Sequence, residues 1–134
     1  CVEFSRQHNL GIVVYNPLAG GLLTGKHDRH AAPPANTRFS LMGNYQERFW
    51  SAPHFDAVES LLPIAEQAGL TLTQLSLQWL LAQSHVDSVI LGVSRPEHLE
   101  QNLAASQGQL ADDVLAACDE VWHALRGPHF QYNR

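Results

Sequence analysis

The sequence has little cysteine, few basic residues and no long apolar run. Its two cysteines, Cys1 and Cys118, form neither a CxxC pair nor a disulfide framework, so we expect a reducing cytoplasm and two packing or surface thiols. Only 8 Lys and Arg stand against 13 Asp and Glu, which argues against nucleic acid as a partner because duplex binding neutralises phosphates with cations. No apolar run approaches the roughly 18 residues of a membrane span, and the first residues lack a signal-peptide layout, so no membrane partner is expected.

The composition is that of a soluble globular protein. A chain of 134 residues that is 45% hydrophobic can bury one modest core, and we treat residues 1–134 as a single domain or part of one, without an internal boundary. Among the eight histidines only His27 and His30 are close in sequence, in a loop without nearby cysteine, so we expect no metal site. The sequence leaves the oligomeric state open, a homo-oligomer included.

The order of predicted elements is typical of an α/β protein. The segments "GIVVYNPL" (11–18) and "SVILGV" (88–93) are apolar on successive residues, which predicts buried parallel strands covered on both faces. Helical patterns cover 55–69, 70–83, 96–105 and 111–127, with Pro63 expected to kink or divide the first, and 27–53 is a long polar segment. Since a lone parallel pair leaves edges and faces open, the chain is expected to be a segment of a larger α/β domain.

The stretch "GGLLTGKH" has part of the spacing of a P-loop. Gly20, Gly25 and Lys26 fit GxxxxGK[ST], but His27 stands where a hydroxyl would hold magnesium. A glycine-rich turn after a strand can still bring backbone N–H groups to an anion. A nucleotide phosphotransferase, another phosphate ligand and a merely tight turn all remain open for this stretch.

The stretch "VSRPEHLEQN" allows two interpretations. Ser94 and Glu97 have capping-box spacing and Pro96 suits a first helical turn, which predicts a well-capped helix after a strand. Alternatively, the helix N-terminus attracts an anion, Arg95 adds a cation shaped for phosphate, and the Ser94 hydroxyl adds a donor. A ribose 2′-phosphate fits that second environment better than a neutral hydroxyl does.

Two aromatic and arginine-containing stretches are candidates for carboxylate binding. In "NYQERFW", Tyr45 and Arg48 belong either to a surface loop fixed by aromatics or to a ligand mouth where arginine binds a carboxylate in bidentate fashion. The C-terminal "HFQYNR" repeats this chemistry with Tyr132 and Arg134, or is a frayed tail.

Taken together, these stretches resemble the C-terminal part of an aldo-keto reductase. "VVYNPLAGGLLTGK" (13–26) is similar to the family's seventh strand and its loop, and "VILGVSRPEHLEQNLAA" (89–105) to its eighth strand and cofactor helix. "TRFS" and "RFWSAPHF" are most similar to the aflatoxin-aldehyde reductase branch, whose members reduce dicarbonyls and succinic semialdehyde. The resemblance implies the last two βα units of a (β/α)8 TIM barrel with extra helices, and NADPH-dependent reduction of aldehydes or ketones.

The resemblance also implies roles for individual residues. Tyr15 would stack on the nicotinamide, Arg38 would close over the cofactor, and His98 and Gln101 stand where the family usually has Gln and Glu. The implied NADPH-binding residues are Tyr15, Asn16, Pro17, Leu18, Ala19, Gly20, Gly21, Leu22, Leu23, Thr24, Gly25, Lys26, Arg38, Ser94, Arg95, His98, Gln101 and Asn102. The implied contacts to a small carbonyl substrate are Tyr45, Arg48 and Arg134.

The family's catalytic Asp, Tyr, Lys and His are not found in this chain. They lie on earlier strands, so residues 1–134 alone are expected to be inactive. A non-catalytic, NADPH-binding regulatory subunit of the same fold is the alternative function.

Overall fold

A computed structural model describes residues 2–127 of the chain. Two short strands, one 3₁₀ segment and seven helices follow one another in these residues. In chain order they are α1 (Val2–Gln7), β1 (Val13–Tyr15), the 3₁₀ segment (Ala19–Thr24), α2 (Arg38–Leu41), α3 (Gly43–Phe49), α4 (Ala52–Gln67), α5 (Leu72–Leu81), β2 (Ser88–Ile90), α6 (Pro96–Ala105) and α7 (Asp112–Arg126).

The two strands are parallel neighbours, as the sequence predicts. Val14 pairs with Val89, and Tyr15 with Ile90. Asp87 fixes this register from just before β2, because its Oδ2 accepts the N–H of Ile12 at 2.6 Å and its own N–H donates to the Ile12 carbonyl at 2.9 Å. The carboxyl ends of β1 and β2 therefore lie at the same edge of the sheet.

Residues 2–127 cover the strand pair on one face only, so the expectation that both faces are covered is wrong for this part of the chain. Val13, Tyr15 and Ile90 are 55%, 60% and 57% exposed, whereas Val14 and Val89 are half-buried. Successive side chains of a strand point to opposite faces, and the helices described here pack against one of them. The other face is free for further packing, as expected of a segment of a larger domain.

The core lies between the 3₁₀ segment and helices α2, α4, α5 and α7. Phe39 of α2 and Leu75 of α5 are each only 1% exposed. The buried cluster consists of Leu22, Phe39, Phe55, Val58, Ala65, Leu72, Leu75 and Cys118. Because this core includes Leu22, it anchors the loop that follows β1.

The four predicted helices are present, and three more occur. Thr71 and Gln74 form the predicted capping box at the start of α5. Pro63 lies inside α4, which continues undivided for 16 residues, so the expected division there is wrong. Helix α1 and, within the supposed polar loop, α2 and α3 were not predicted. Among the helices of residues 2–127, none combines the length and apolar character that crossing a bilayer requires.

Candidate functional site

The two stretches predicted to face an anion leave the sheet side by side. Tyr15 is the last residue of β1 and Ile90 the last of β2, and the two are register partners. The segment 16–26 and the turn 91–95 therefore start from neighbouring points at the carboxyl edge of the sheet. In parallel α/β structures, that edge is where ligands bind.

The glycine-rich segment after β1 is a self-bonded turn. Asn16 has a positive φ of 60°, and its Oδ1 accepts the N–H of Gly20 at 2.8 Å. The N–H groups of Ala19, Gly21, Leu23 and Gly25 also donate to carbonyls of residues 16–22. Many of the N–H groups expected to meet an anion are therefore already used within the loop.

This segment does not have the fold of a P-loop. A GxxxxGK[ST] loop joins a strand directly to a helix. Here residues 25–37 contain no helix, and the next one, α2, begins only at Arg38. The phosphotransferase hypothesis is therefore wrong, since it depended on that motif.

Helices α2 and α3 pack directly on the glycine-rich segment. Gly20 has a φ of 71°, and a Cβ built on it would lie 2.8 Å from Cδ1 of Tyr45 and 3.3 Å from Cζ of Phe39. Glycine is required at this position by its backbone conformation and by the two rings. Leu22 is 2% exposed, so it belongs to the core.

Arg38 reaches from α2 to the turn that follows β2. It is the first residue of α2, whose N-terminus is fixed by a capping box between Thr37 and Ser40. Its guanidinium lies 5.1 Å from the ring centroid of Tyr45. A Cβ built on Gly92 would be 3.9 Å from Nη2 of Arg38. The arginine thus lies near both turns.

The N-terminus of α6 differs from the predicted capping box. The N-cap is Arg95, not Ser94, and no side chain caps it, because the helix begins one residue later than a Ser94–Glu97 box requires. Around this uncapped end Ser94, Arg95, His98 and Gln101 are exposed. Asn102 is 5% exposed and lies behind this surface.

Tyr15 and Arg48 border a second region, an apolar cavity of about 530 Å³ beside β1. The Arg48 guanidinium lies 5.0 Å from the ring centroid of Phe49, which also borders the cavity. Asn16, Pro17, His54, Trp79 and Trp122 are further lining residues. The predicted substrate residue Arg48 therefore borders this cavity, whereas the exposed group around Arg95 does not. The other one, Tyr45, contacts Arg38. Tyr132 and Arg134 lie outside the described residues.

Two histidines near these regions were not predicted to have a role. His54 borders the cavity, its Nδ1 lies 2.8 Å from Oγ of Ser51, and burial lowers its pKa. His27 is inserted among aromatic rings beside the glycine-rich segment, and burial and the neighbouring Lys26 lower its pKa. Phe39, Phe49 and Trp50 are the aromatic residues that pack against these two histidines. Residues 2–127 contain no cluster of three His, Cys, Asp or Glu side chains suited to a metal ion.

Comparison with known sequences shows that the chain is similar to members of one protein family. The profile of the Aldo/keto reductase family matches residues 1–123. Aflatoxin B1 aldehyde reductase member 2 of Homo sapiens is 41% identical over 135 residues, which cover 90% of this chain and 38% of the relative. A probable voltage-gated potassium channel subunit beta of Arabidopsis thaliana is 36% identical over 100 residues, which cover 73% of this chain and 30% of the relative.

Comparison with solved structures confirms the predicted fold class. A glycerol dehydrogenase from Gluconobacter oxydans superposes with a TM-score of 0.68 at 23% identity, covering 98% of this chain and 41% of that one. The chain is thus similar to a portion of a (β/α)8 barrel. It spans about two fifths of the length of these relatives.

Proposed function

The chain belongs to the aldo/keto reductase family, close in sequence to aflatoxin B1 aldehyde reductases, and from this premise we propose that it carries the cofactor-binding part of an NADPH-dependent reductase. The observation that supports this most is the pairing of Tyr15 with Ile90. It places the glycine-rich segment and the Ser94–Arg95 turn next to each other, and a dinucleotide is a ligand long enough to contact both.

The chemistry of the residues fits a phosphorylated dinucleotide. Helix α6 has ten residues and no side-chain cap, so its N-terminal dipole can act on an anion. Arg95 and Arg38 add permanent cations at either side of the β2 turn. In this proposal Arg95 and Ser94 bind the 2′-phosphate, and His98 and Gln101 lie near the adenine. The bound nicotinamide supplies the hydride.

Residues near β1 are assigned to the reacting end. Tyr15 is exposed at the end of the strand, where its ring can stack on a nicotinamide. Arg48 is a cation in the wall of an otherwise largely apolar cavity, which suits the carboxylate end of a semialdehyde. Tyr45 and Arg134 complete the proposed contacts to a small carbonyl substrate.

No catalytic residue is assigned to this chain. Hydride addition to a carbonyl carbon requires a proton for the carbonyl oxygen. In this proposal a tyrosine outside residues 1–134 donates it, so the chain by itself is inactive. The proposed location is the cytoplasm, and a homo-oligomer is compatible with the proposal.

The test is the affinity of the complete protein for NADPH and NADH at fixed salt, with and without Arg95→Ala. Loss of one charged hydrogen-bonding group should weaken NADPH binding by about 1–3 kcal/mol and leave NADH binding nearly unchanged. Arg6→Ala is the matched control, because Arg6 contacts Ser84 before β2, at the opposite end of the strands. Unchanged NADPH affinity in Arg95→Ala would refute the assignment of the 2′-phosphate.

A second candidate function is favoured by the potassium channel beta subunit among the relatives. In this alternative the complete protein binds NADPH but regulates a partner and turns over slowly. Steady-state NADPH oxidation with dicarbonyl and semialdehyde substrates separates the two functions. Fast turnover supports the reductase, and tight NADPH binding with little turnover supports the regulatory subunit.

A further inference from the structure

The ring of His27 lies among three separate segments of the chain, next to the proposed cofactor site. Its centroid lies 5.2 Å from that of Phe39 on α2 and 5.2 Å from that of Trp50, which precedes α4, both in edge-to-face geometry. The Phe39 and Trp50 rings are themselves 5.0 Å apart, so the three rings form a closed triangle. Nε2 of His27 lies 4.0 Å from the position of a Cβ on Gly21. His27 therefore lies between the glycine-rich segment and helices α2 and α3, which pack on that segment.

The surroundings of His27 favour its neutral ring. Nδ1 is buried and has no hydrogen-bond partner among the described residues. A proton there would be a buried donor without an acceptor, which costs free energy. Lys26 acts electrostatically against the charged form, and burial acts in the same direction.

Among the described residues, no carboxylate is paired with His27. Its neighbour Asp28 is exposed and accepts the N–H of His30 at 2.9 Å. Helix α2 carries the cation Arg38, and α3 carries Glu47, which is exposed, and Arg48. On α4, Asp56 and Glu59 are both paired with Arg29, at 2.7 and 2.8 Å. A protonated His27 would therefore be partly buried and next to Lys26, without a carboxylate partner among the described residues.

We propose that His27 is a positioning residue for the cofactor site, which by fixing Phe39 holds Arg38 over Tyr45 and the end of β2. Phe39 is 1% exposed and directly follows Arg38 in α2, so its buried ring fixes the helix backbone from which the Arg38 side chain extends. This role rests on the proposed function, because it assigns Arg38 to cofactor binding. Protonation of His27 would loosen the packing of the three rings, and Arg38 would then bind the cofactor more weakly.

The test uses His27→Phe and His27→Ala in the complete protein, with NADPH affinity measured from about pH 7.5 down to about pH 5.5. His27→Phe keeps a ring but cannot titrate, so its NADPH affinity at the higher pH should stay within about threefold of wild type. The ratio of the wild-type to the His27→Phe dissociation constant should rise as the pH falls. This ratio cancels every pH effect that the two proteins share, including ionisation of the cofactor phosphate.

His27→Ala removes the ring and should weaken NADPH binding about tenfold at every pH. The control is His30→Phe, three residues away and exposed, which should follow wild type throughout. Circular dichroism and thermal unfolding establish that each variant is folded, and His27→Phe keeps the test valid if His27→Ala does not fold.

Two outcomes would overturn the role of His27 while leaving the proposed function intact. In the first, wild type binds NADPH, but the ratio of its dissociation constant to that of His27→Phe does not change with pH. The other is a folded His27→Ala protein with wild-type affinity. A wild-type protein that does not bind NADPH at all would instead overturn the proposed function, and this role with it.

Discussion

Nε1 of Trp79 donates a hydrogen bond of 2.8 Å to Oδ1 of Asp119, and this bond joins α5 to α7. Asp119→Ala would leave the partly buried indole N–H without its acceptor. We expect the free energy of unfolding of the complete protein to fall by about 1–3 kcal/mol. Urea unfolding measures it, and Glu120→Ala, exposed on the same helix, should change it by less than about 0.5 kcal/mol. Equal effects of the two substitutions would contradict this role of the bond.

Gly20→Ala should destabilise the turn after β1. An alanine would have to adopt a positive φ, at a cost of about 1–2 kcal/mol, and its Cβ would press on Tyr45. We expect a lower melting temperature and weaker NADPH binding. Gly43→Ala is the control, because a Cβ on Gly43 meets nothing within 4 Å and its substitution should not destabilise. A Gly20→Ala protein as stable as Gly43→Ala would show that the turn relaxes freely.

Stability should decrease as the pH falls below about 6.5, in part because of His54. Burial lowers the pKa of His54 in the folded protein, so the unfolded chain takes up the proton first and unfolding becomes more favourable. The loss begins near the unfolded pKa and stops once the pH is below the folded one. Urea unfolding at several pH values should show a shallower slope for His54→Gln than for wild type. His8→Gln, exposed after α1, should keep the wild-type slope.

Cys118 should react slowly with thiol reagents in the folded protein. Burial and the neighbouring Asp119 raise its pKa to about 11, so at pH 8 only on the order of one thiol in a thousand is ionised. Alkylation with iodoacetamide, followed by mass spectrometry of the peptide containing Cys118, measures the rate. We expect a large increase in urea. A rate that is the same with and without urea would mean that the packing of α7 on the core does not protect Cys118.

The sequence predicted the parts of the fold that depend on local pattern. The capping residues Thr71 and Gln74 and the boundaries of α6 were found because local interactions determine them. Helices α2 and α3 were missed because they are short and lie in a polar segment, and they are held by packing of Phe39 and Tyr45 on the loop. Their stability comes from tertiary contacts, which a periodicity argument does not detect.

The candidate site was predicted in outline but not in detail. Adjacent turns followed from the rule that parallel strands share a carboxyl edge, and the structure places them there. The Ser94–Glu97 capping box, one of the two interpretations of this stretch, is absent because Arg95 and not Ser94 takes the N-cap position. His27 could not be assigned because its neighbours Phe39 and Trp50 are brought to it only by the fold.

The bonds between Ile12 and Asp87 also bear on the order in which the molecule folds. They join residues 75 positions apart, whereas the helical contacts within α4 and α5 are local. A contact between distant residues requires closure of the chain between them, which costs conformational entropy. Helices that form first shorten that chain and lower the cost. We therefore expect the helices to form before the strands pair, so that the edge carrying both turns of the candidate site is among the last parts of the chain to assemble.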